Sequence, residues 1–279
     1  MKKKDNLKKR LVIYAAAAVV LFVFCSWQNN TLTVTEHIYK NEKISDELDD
    51  FTIVHISDLH NKNFGKEQKR IAEKITELAP DIIVITGDIV DSRRTNIPKA
   101  LEFAEKAAEI ADTYYVTGNH EHRLDDEDFE KLMNGLEQTG VKCLTDESVD
   151  IEKNGGSFVL SGFDDESLVN IEYNCPKLAA DKLNVVLAHE PQLIEDYSNH
   201  GNIDLVLTGH AHGGQFRLLF IGAVYAPDQG INPEYTEGMH KMGDTSMIVS
   251  RGIGNSALPV RLFNFPEIIK ITLKSEKAD

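Results

Sequence analysis

The chain has 279 residues, 42% hydrophobic and 27% charged, a balance that excludes wholesale disorder and suits one large or two small globular domains. It holds 30 Lys and Arg against 45 Asp and Glu, and because six bases and one acid fall in the first ten residues, the remainder carries a net −20. A body that acidic is repelled by nucleic-acid phosphates, so no nucleic-acid binding is expected, although bound metal ions could invert the local sign for a phosphate substrate.

Residues 1–10 read MKKKDNLKKR, and residues 11–27 read LVIYAAAAVVLFVFCSW without a charge. At about 1.5 Å per residue this apolar run just crosses a bilayer core. The basic flank predicts a cytoplasmic N-terminus, a single-pass anchor or signal-anchor over 11–27 and an extracytoplasmic body, in the cell membrane. Trp27 falls where an interfacial aromatic belongs. A cleaved signal peptide lacks an A-x-A-like site, bulky Phe24 stands before Cys25 where a lipoprotein needs a small residue, and the basic flank argues against a buried helix. Whether the segment is cleaved stays open. Three cysteines (Cys25, Cys143, Cys175) make neither a disulfide scaffold nor a cysteine zinc site.

Residues 28–50 read as a polar linker into an edge strand. Apolar, β-rich runs then recur at Phe51–Ile56, Ile82–Thr86, Tyr114–Thr117, Phe158–Leu160, Val185–Ala188, Leu205–Thr208 and Met247–Ser250. Helical spacing appears over Gln68–Ala79, with Ile71, Ile75 and Leu78 on one stripe, and over Lys99–Ala111 and Asp126–Thr139. Strand–helix–strand order predicts an α/β (mixed α+β) domain over 51–279 with buried strands. From Val141 onward turns outnumber helix signals, and Lys274–Asp279 reads as a low-complexity tail.

Five polar signals follow apolar runs: Asp58-Leu59-His60, Gly87-Asp88-Ile89-Val90-Asp91, Gly118-Asn119-His120-Glu121, the lone His189, and Gly209-His210-Ala211-His212. Open α/β sheets bind ligands at the C-terminal strand edge. Each signal alone is ordinary: a surface Asp-His pair, a Gly-Asp turn, a left-handed Asn, a strand-end His. Their ordered repetition is not. Imidazoles and carboxylates without cysteine suit Mn, Fe or Zn, and seven candidate ligands exceed one tetrahedral ion but match two. His55, inside the first strand, reads as structural, and His37, His122, His200 and His240 as ordinary histidines.

This ordered set resembles the calcineurin-like metallophosphoesterase superfamily, whose pattern is D-x-H, G-D-x-x-D, G-N-H-(D/E), a lone His and G-H-x-H, over roughly residues 50–272. The resemblance implies a four-layer αββα sandwich of two mixed β-sheets, here preceded by one N-terminal transmembrane helix. It implies two divalent metal ions, one on Asp58, His60, Asp88 and His212, the other on Asp88, Asn119, His189 and His210, with Asp88 bridging. Asp91 would orient a ligand or its loop, and His120 would be the catalytic histidine, contacting a phosphate oxygen or protonating the leaving group, or else merely orienting Asn119. Two ions about 3.5–4 Å apart clamp a phosphoryl group and activate the attacking water. Arg251-Gly252-Ile253-Gly254-Asn255 with Pro259 and Arg261 is similar to a bacterial membrane-associated branch that includes enzymes resembling UDP-diacylglucosamine pyrophosphatases. Arg251 and Arg261 are thus candidate phosphate contacts, a surface ion pair being the alternative, and Gln215 could approach the metals. The implied activity is hydrolysis of phosphodiester or pyrophosphate bonds in a lipid-linked or envelope substrate. A soluble-nucleotide or phosphomonoester hydrolase and a silent metal-binding scaffold are the competing readings. Loops Arg123–Asp128 and Ala226–Met239 are expected to carry specificity.

Overall fold

The computed structural model describes residues 2–170, 178–218, 220–255 and 260–276; Cys175 and Pro259 lie outside them. Helix α1 (Lys2–Asn30) is followed by β1 (Thr33–Asn41), β2 (Thr52–Ile56), α2 (Lys69–Glu77), β3 (Ile82–Thr86), α3 (Ile97–Ala108), β4 (Asp112–Val116), α4 (Asp126–Gln138), β5 (Lys142–Cys143), β6 (Glu147–Lys153), β7 (Gly156–Gly162), β8 (Asn184–Leu187), α5 (Ile194–His200) and β9 (Leu205–Thr208). Two small hairpins come next, β10 (Arg217–Leu218) with β11 (Gly222–Ala223) and β12 (Tyr225–Ala226) with β13 (Gly230–Ile231). Strands β14 (Gly238–Met242), β15 (Thr245–Val249) and β16 (Glu267–Ser275) complete the chain.

The strands form two six-stranded mixed sheets, ordered β1-β16-β2-β3-β4-β5 and β14-β15-β9-β8-β7-β6. In the first, β2 to β5 run parallel and β16 is antiparallel to β2; in the second, β7, β8, β9 and β15 run parallel between antiparallel edges. Side-chain alternation sorts each central strand. Ile53, Val84, Val116, Leu160, Val185, Leu187 and Leu207 fill the space between the sheets. Val54, Ile56, Ile83 and Ile85 face outward onto Ile71, Ile75, Phe103, Ala104 and Leu132 of α2, α3 and α4. Val186, Val206 and Met247 face outward onto Ile194 and Tyr197 of α5. Strands covered on both faces read as unbroken apolar runs. The architecture is therefore αββα. Helix starts are set locally: Asn96 accepts from the Lys99 amide and Asp125 from the Asp128 amide.

The sequence expectations miss β1's partner. Strand β16 lies between β1 and β2, so the C-terminal segment completes the first sheet. Lys274 is no tail residue: it is in β16, and its ammonium pairs with Asp49 and Asp50 at 2.8 and 2.9 Å. Helix α1 is long and apolar enough over Lys8–Asn30 to cross a membrane. It extends beyond Trp27, and Gln28 and Asn29 are buried. Phe24 packs on Phe263 and Trp27 on Phe265, with ring centroids 5.7 and 5.4 Å apart.

Phe158 lies between the sheets with its ring edge-on to Phe51, 5.2 Å away. Phe158→Ala is expected to cost about 3–5 kcal/mol, read as a lower denaturant midpoint of the detergent-solubilised full chain. An unchanged midpoint would show that this ring does not join the sheets.

Candidate active site

Each expected site residue follows a strand end. Asp58 and His60 follow β2, Asp88 follows β3, Asn119 and His120 follow β4, His189 follows β8, and His210 and His212 follow β9. The first three strands belong to one sheet and the last two to the other, so the site straddles the sandwich. Backbone bonds lock the loops together: Asp58 N–H donates to Gly87 O at 3.1 Å, His60 N–H to Asp88 O at 3.0 Å, and Gly209 N–H to His189 O at 3.0 Å. Asp58, His60, Asp88, His210 and His212 all sit at positive φ, between 45° and 63°. Such backbone costs about 1 kcal/mol or more per residue and gathers at functional sites. Two glycines permit the crowding. A Cβ on Gly118 would lie 2.6 Å from Asp88 Oδ1, and one on Gly209 2.6 Å from Asp58 Oδ2.

The side chains form two groups that share one carboxylate. The ligand atoms of Asp58, His60, Asp88 and His212 lie within 4.8 Å of one another, as do those of Asp88, His189 and His210. Asp88 uses its two oxygens differently. Oδ1 accepts from the His120 amide at 2.9 Å; Oδ2 lies 3.3 Å from His60 Nε2 and 3.4 Å from His189 Nε2, facing both groups. His212 Nε2 is 3.0 Å from His60 Nε2 and 3.3 Å from Asp58 Oδ1. His189 donates Nδ1–H to Thr86 O at 2.8 Å, and His210 donates Nε2–H to Asp228 at 2.7 Å. In neutral rings that leaves the lone pairs of His189 Nε2 and His210 Nδ1 facing each other at 3.2 Å, an arrangement that needs a proton or a cation between them. Asn119 Oδ1 is buried without a partner, which costs free energy unless something electropositive approaches it. These donors fit a pair of divalent ions.

Electrostatics agrees with a site shaped for cations. Burial pushes the His60 imidazole down to about 3, and burial, together with the neighbouring His60, takes His212 well below its ordinary value. Both rings are thus neutral donors. Burial opposes the charge on Asp88, but His189 outweighs it and holds the carboxyl well below its usual range. Burial likewise opposes protonation of His189, yet Asp88 raises that ring well above the ordinary value. Burial pushes Asp58 up to about 6. A cation entering here displaces protons.

Glu121 is a residue whose role sequence reasoning left blank. Fully buried, its carboxylate accepts from the backbone N–H groups of Asp88 (2.8 Å), Val90 (3.2 Å) and Gly118 (2.7 Å), tying two motif loops together. Burial and the nearby Asp88 raise its pKa to about 8. Asp228 and Ser92 were also unforeseen. Asp228 orients His210, and Ser92 donates its backbone N–H to His120 Nδ1 at 3.0 Å. Asp91 bonds Arg93 at 3.0 Å and lies 3.5 Å from His120 Nδ1.

A cavity of about 210 Å³ opens over the groups, lined by Asp88, Asn119, His120, His210 and His212, with Arg93, Arg123, Tyr225, Pro227 and Asp228 at its rim. Larger hollows, one of about 810 Å³ beside Tyr39 and Asp204, contain none of the motif residues. Arg251 and Arg261 do not line the cavity. Arg251 pairs with Glu267 at 2.8 Å. Arg261 is fully buried, donates to the carbonyls of Gly254 and Arg251, and lies 3.4 Å from His212 Nδ1. Both guanidiniums are committed to packing, which corrects their reading as phosphate contacts. Gln215 is likewise turned away, donating to Val260 O at 3.2 Å. His55 is structural, 2.8 Å from Thr86 Oγ1.

A family model described as calcineurin-like phosphoesterase matches residues 51–214, the span that holds Asp58, His60, Asp88, Asn119, His120, His189, His210 and His212. The chain belongs to that family. The phosphoesterase is 31% identical to the uncharacterized metallophosphoesterase YkuE of Bacillus subtilis, over 88% of this chain and 86% of that protein. It is 32% identical to YkoQ of the same organism, over 77% and 81%. A transmembrane protein with metallophosphoesterase domain from Danio rerio is 28% identical over 84% of this chain and 55% of its own length.

Two expectations follow. Glu121→Ala orphans three buried N–H groups at about 1–3 kcal/mol each, so the variant should unfold at a markedly lower denaturant concentration and bind metal more weakly; unchanged values for both would remove Glu121 from the scaffold of the site. His122 lies 2.9 Å from Asp164. Burial disfavours its charge, but Asp164 outweighs burial and raises its pKa, and His122 in turn lowers that of Asp164 against the same opposition. The stability of this pair is therefore full between about pH 4 and 6.5, the unfolded values, and is lost above as His122 deprotonates. The stability gap between wild type and His122→Phe should be widest in that window and close as pH rises beyond it.

Proposed function

We propose that this phosphoesterase hydrolyses phosphodiester or pyrophosphate bonds of a lipid-linked or envelope substrate at the outer face of the cell membrane. In this reading α1 is the single membrane anchor, with its basic N-terminus cytoplasmic. The observation that carries the hydrolase is the convergence of six motif side chains from both sheets, Asp58, His60, Asp88, His189, His210 and His212, in two groups that share Asp88, with Asn119 Oδ1 buried and without a partner beside the same cavity.

One divalent ion would be held by Asp58, His60, Asp88 and His212, and a second by Asp88, Asn119, His189 and His210. Manganese, or an iron and zinc pair, suits these donors. When bound, such a pair neutralises a phosphoryl group and supplies an attacking oxygen near neutral pH. The protein's own groups do the rest. Because Ser92 N–H can only donate, His120 Nδ1 must accept, and a neutral His120 keeps its proton on Nε2. Burial lowers the pKa of this ring, and an added proton on Nδ1 would collide with the Ser92 N–H. His120 thus presents an N–H to the cavity. It hydrogen-bonds a phosphoryl or leaving oxygen rather than transferring a proton to it. Arg93 and Arg123 at the rim supply the guanidiniums that match phosphate oxygens. The cavity is small and polar, so it encloses only the phosphoryl group, and the remainder of the substrate lies outside across the rim.

The test is metal analysis of the detergent-extracted full chain with a substrate panel: bis(p-nitrophenyl) phosphate, p-nitrophenyl phosphate and a lipid-linked pyrophosphate. Two ions per chain are expected, with the diester or the pyrophosphate preferred. Preference for the monoester would favour the phosphomonoesterase reading, and no turnover with metal bound would leave a scaffold. His120→Ala should retain both ions and lose about 10²-fold or more in kcat; wild-type turnover in that variant would remove His120 from the chemistry.

A further inference from the structure

From the end of β10 to the start of β11 the sequence reads Leu218-Leu219-Phe220-Ile221, of which Leu219 lies outside the described residues. Four large apolar residues in a row are the opposite of what a turn in water selects. Phe220 is fully exposed and Ile221 is 67% exposed, and on the neighbouring hairpin Ile231 is 83% exposed and Tyr225 57%. The stretch from Leu218 to Ile231 contains one charged residue, Asp228, and that carboxylate is turned inward to His210. This apolar surface sits on an otherwise acidic molecule.

Its position is fixed from two sides. On one side it is built on the site. A Cβ on Gly214, two residues after His212, would lie 2.3 Å from the Ala223 side chain, so the hairpin packs directly on the loop that carries His210 and His212. Tyr225, Pro227 and Asp228 form part of the cavity rim. On the other side it is joined to α1. Arg217 N–H donates to Leu262 O at 2.9 Å and Leu262 N–H to Gln215 O at 3.2 Å. Next along, Phe263 N–H donates to Gln28 Oε1 at 3.1 Å, and the Phe263 ring packs on Phe24 of α1. The hairpins thus lie one strand bridge from the end of the apolar helix. Around that helix end, Lys62 donates to Asn29 O and Arg70 donates to Asn30 O at 2.8 Å. Cations at a helix C-terminus are favoured by its dipole, and here they mark the level at which α1 would leave the bilayer for the headgroups.

We propose that the β10–β11 and β12–β13 hairpins form a membrane-docking platform. Phe220, Ile221 and Ile231 would enter the headgroup–acyl boundary of the bilayer that α1 crosses, and the cavity mouth would open at the lipid surface onto a phosphoester carried by a lipid. The proposal rests on the phosphoesterase reading for its substrate. It rests on the exposed apolar run, and its continuity with α1, for its location. An exposed patch of this kind beside an anchor is an interfacial surface by its chemistry, and the net negative body leaves apolar insertion as the adhesive force.

The decisive measurement needs no turnover. Full-length protein carrying Trp27→Phe and Phe220→Trp, in nanodiscs of phosphatidylethanolamine and phosphatidylglycerol, should show blue-shifted Trp emission quenched most strongly by shallow doxyl-labelled lipids. Water-like emission without quenching would overturn the platform. So would quenching or cross-linking at position 220 that depends on a second copy of the chain. Activity separates the two proposals. The triple variant Phe220→Ser, Ile221→Ser, Ile231→Ser should lose about tenfold or more on a vesicle-borne lipid phosphoester while retaining hydrolysis of soluble bis(p-nitrophenyl) phosphate. Equal retention on both substrates would sink the platform and leave the hydrolase standing. A wild-type protein inert toward both would sink the hydrolase, with the lipid-quenching result still deciding the platform.

Discussion

A single oxygen organises the molecule. Asp88 Oδ2 faces His60 on one side and His189 on the other, and these residues come from different sheets. A carboxylate without solvent is costly unless charge or hydrogen bonds meet it. Here its other oxygen takes the His120 amide, its own amide goes to Glu121, and imidazoles surround what remains. Much else follows from holding that oxygen in place. Strand ends must turn abruptly, so five site residues accept left-handed backbone. Gly118 and Gly209 must lack a side chain, because the acids of the neighbouring loops occupy that space. Glu121 must be buried, because it accepts from amides of both the β3 and the β4 loop.

The same constraint explains why the sheets must be stacked rather than extended. Three site loops leave the first sheet and two leave the second. They meet only if the C-terminal edges of both sheets are brought together, which the apolar layer of Ile53, Val84, Leu160, Val185 and Leu207 accomplishes. Strand β16 then matters at a distance. It closes the first sheet between β1 and β2, and the chain leading into it carries Arg261 to His212 and Phe263 to α1. The candidate membrane helix and a candidate metal-binding histidine are thereby two contacts apart through one short segment.

The site was legible in the sequence for a physical reason. Candidate metal-binding side chains at strand ends must sit within a residue or two of an apolar run, so Asp58, Asp88, Asn119, His189 and His210 announce themselves by position. The central strands were legible too, since burial on both faces makes them uniformly apolar. What escaped was set by tertiary geometry. Strand β16 looks like a weak alternation, because its meaning comes from the neighbours it fits between. Asp228 and Ser92 act through loops whose paths no local spacing encodes. Arg251 and Arg261 show the opposite failure. Guanidiniums near phosphate chemistry invite a phosphate role, but Arg261 is walled in by carbonyl oxygens and Arg251 is neutralised by Glu267. Arg123, at the head of a loop expected to carry specificity, does reach the cavity, as does Arg93, which carries no sequence signal that sets it apart.

Charge completes the account of how such a site can be selective. The net negative charge of the body repels phosphate at long range, while Arg93 and Arg123 place positive charge at the cavity. Long-range attraction therefore cannot gather an anionic substrate onto this surface. If the substrate is lipid-borne, none is needed. Confining enzyme and lipid to one bilayer would replace a search in three dimensions by an encounter at high effective concentration, and the exposed apolar hairpins joined to the candidate membrane helix would hold the cavity at the level where the phosphoester lies. Under that arrangement the negative body would become useful: it would keep soluble nucleotides and polyanions away from a candidate metal site whose chemistry does not by itself select among phosphate esters.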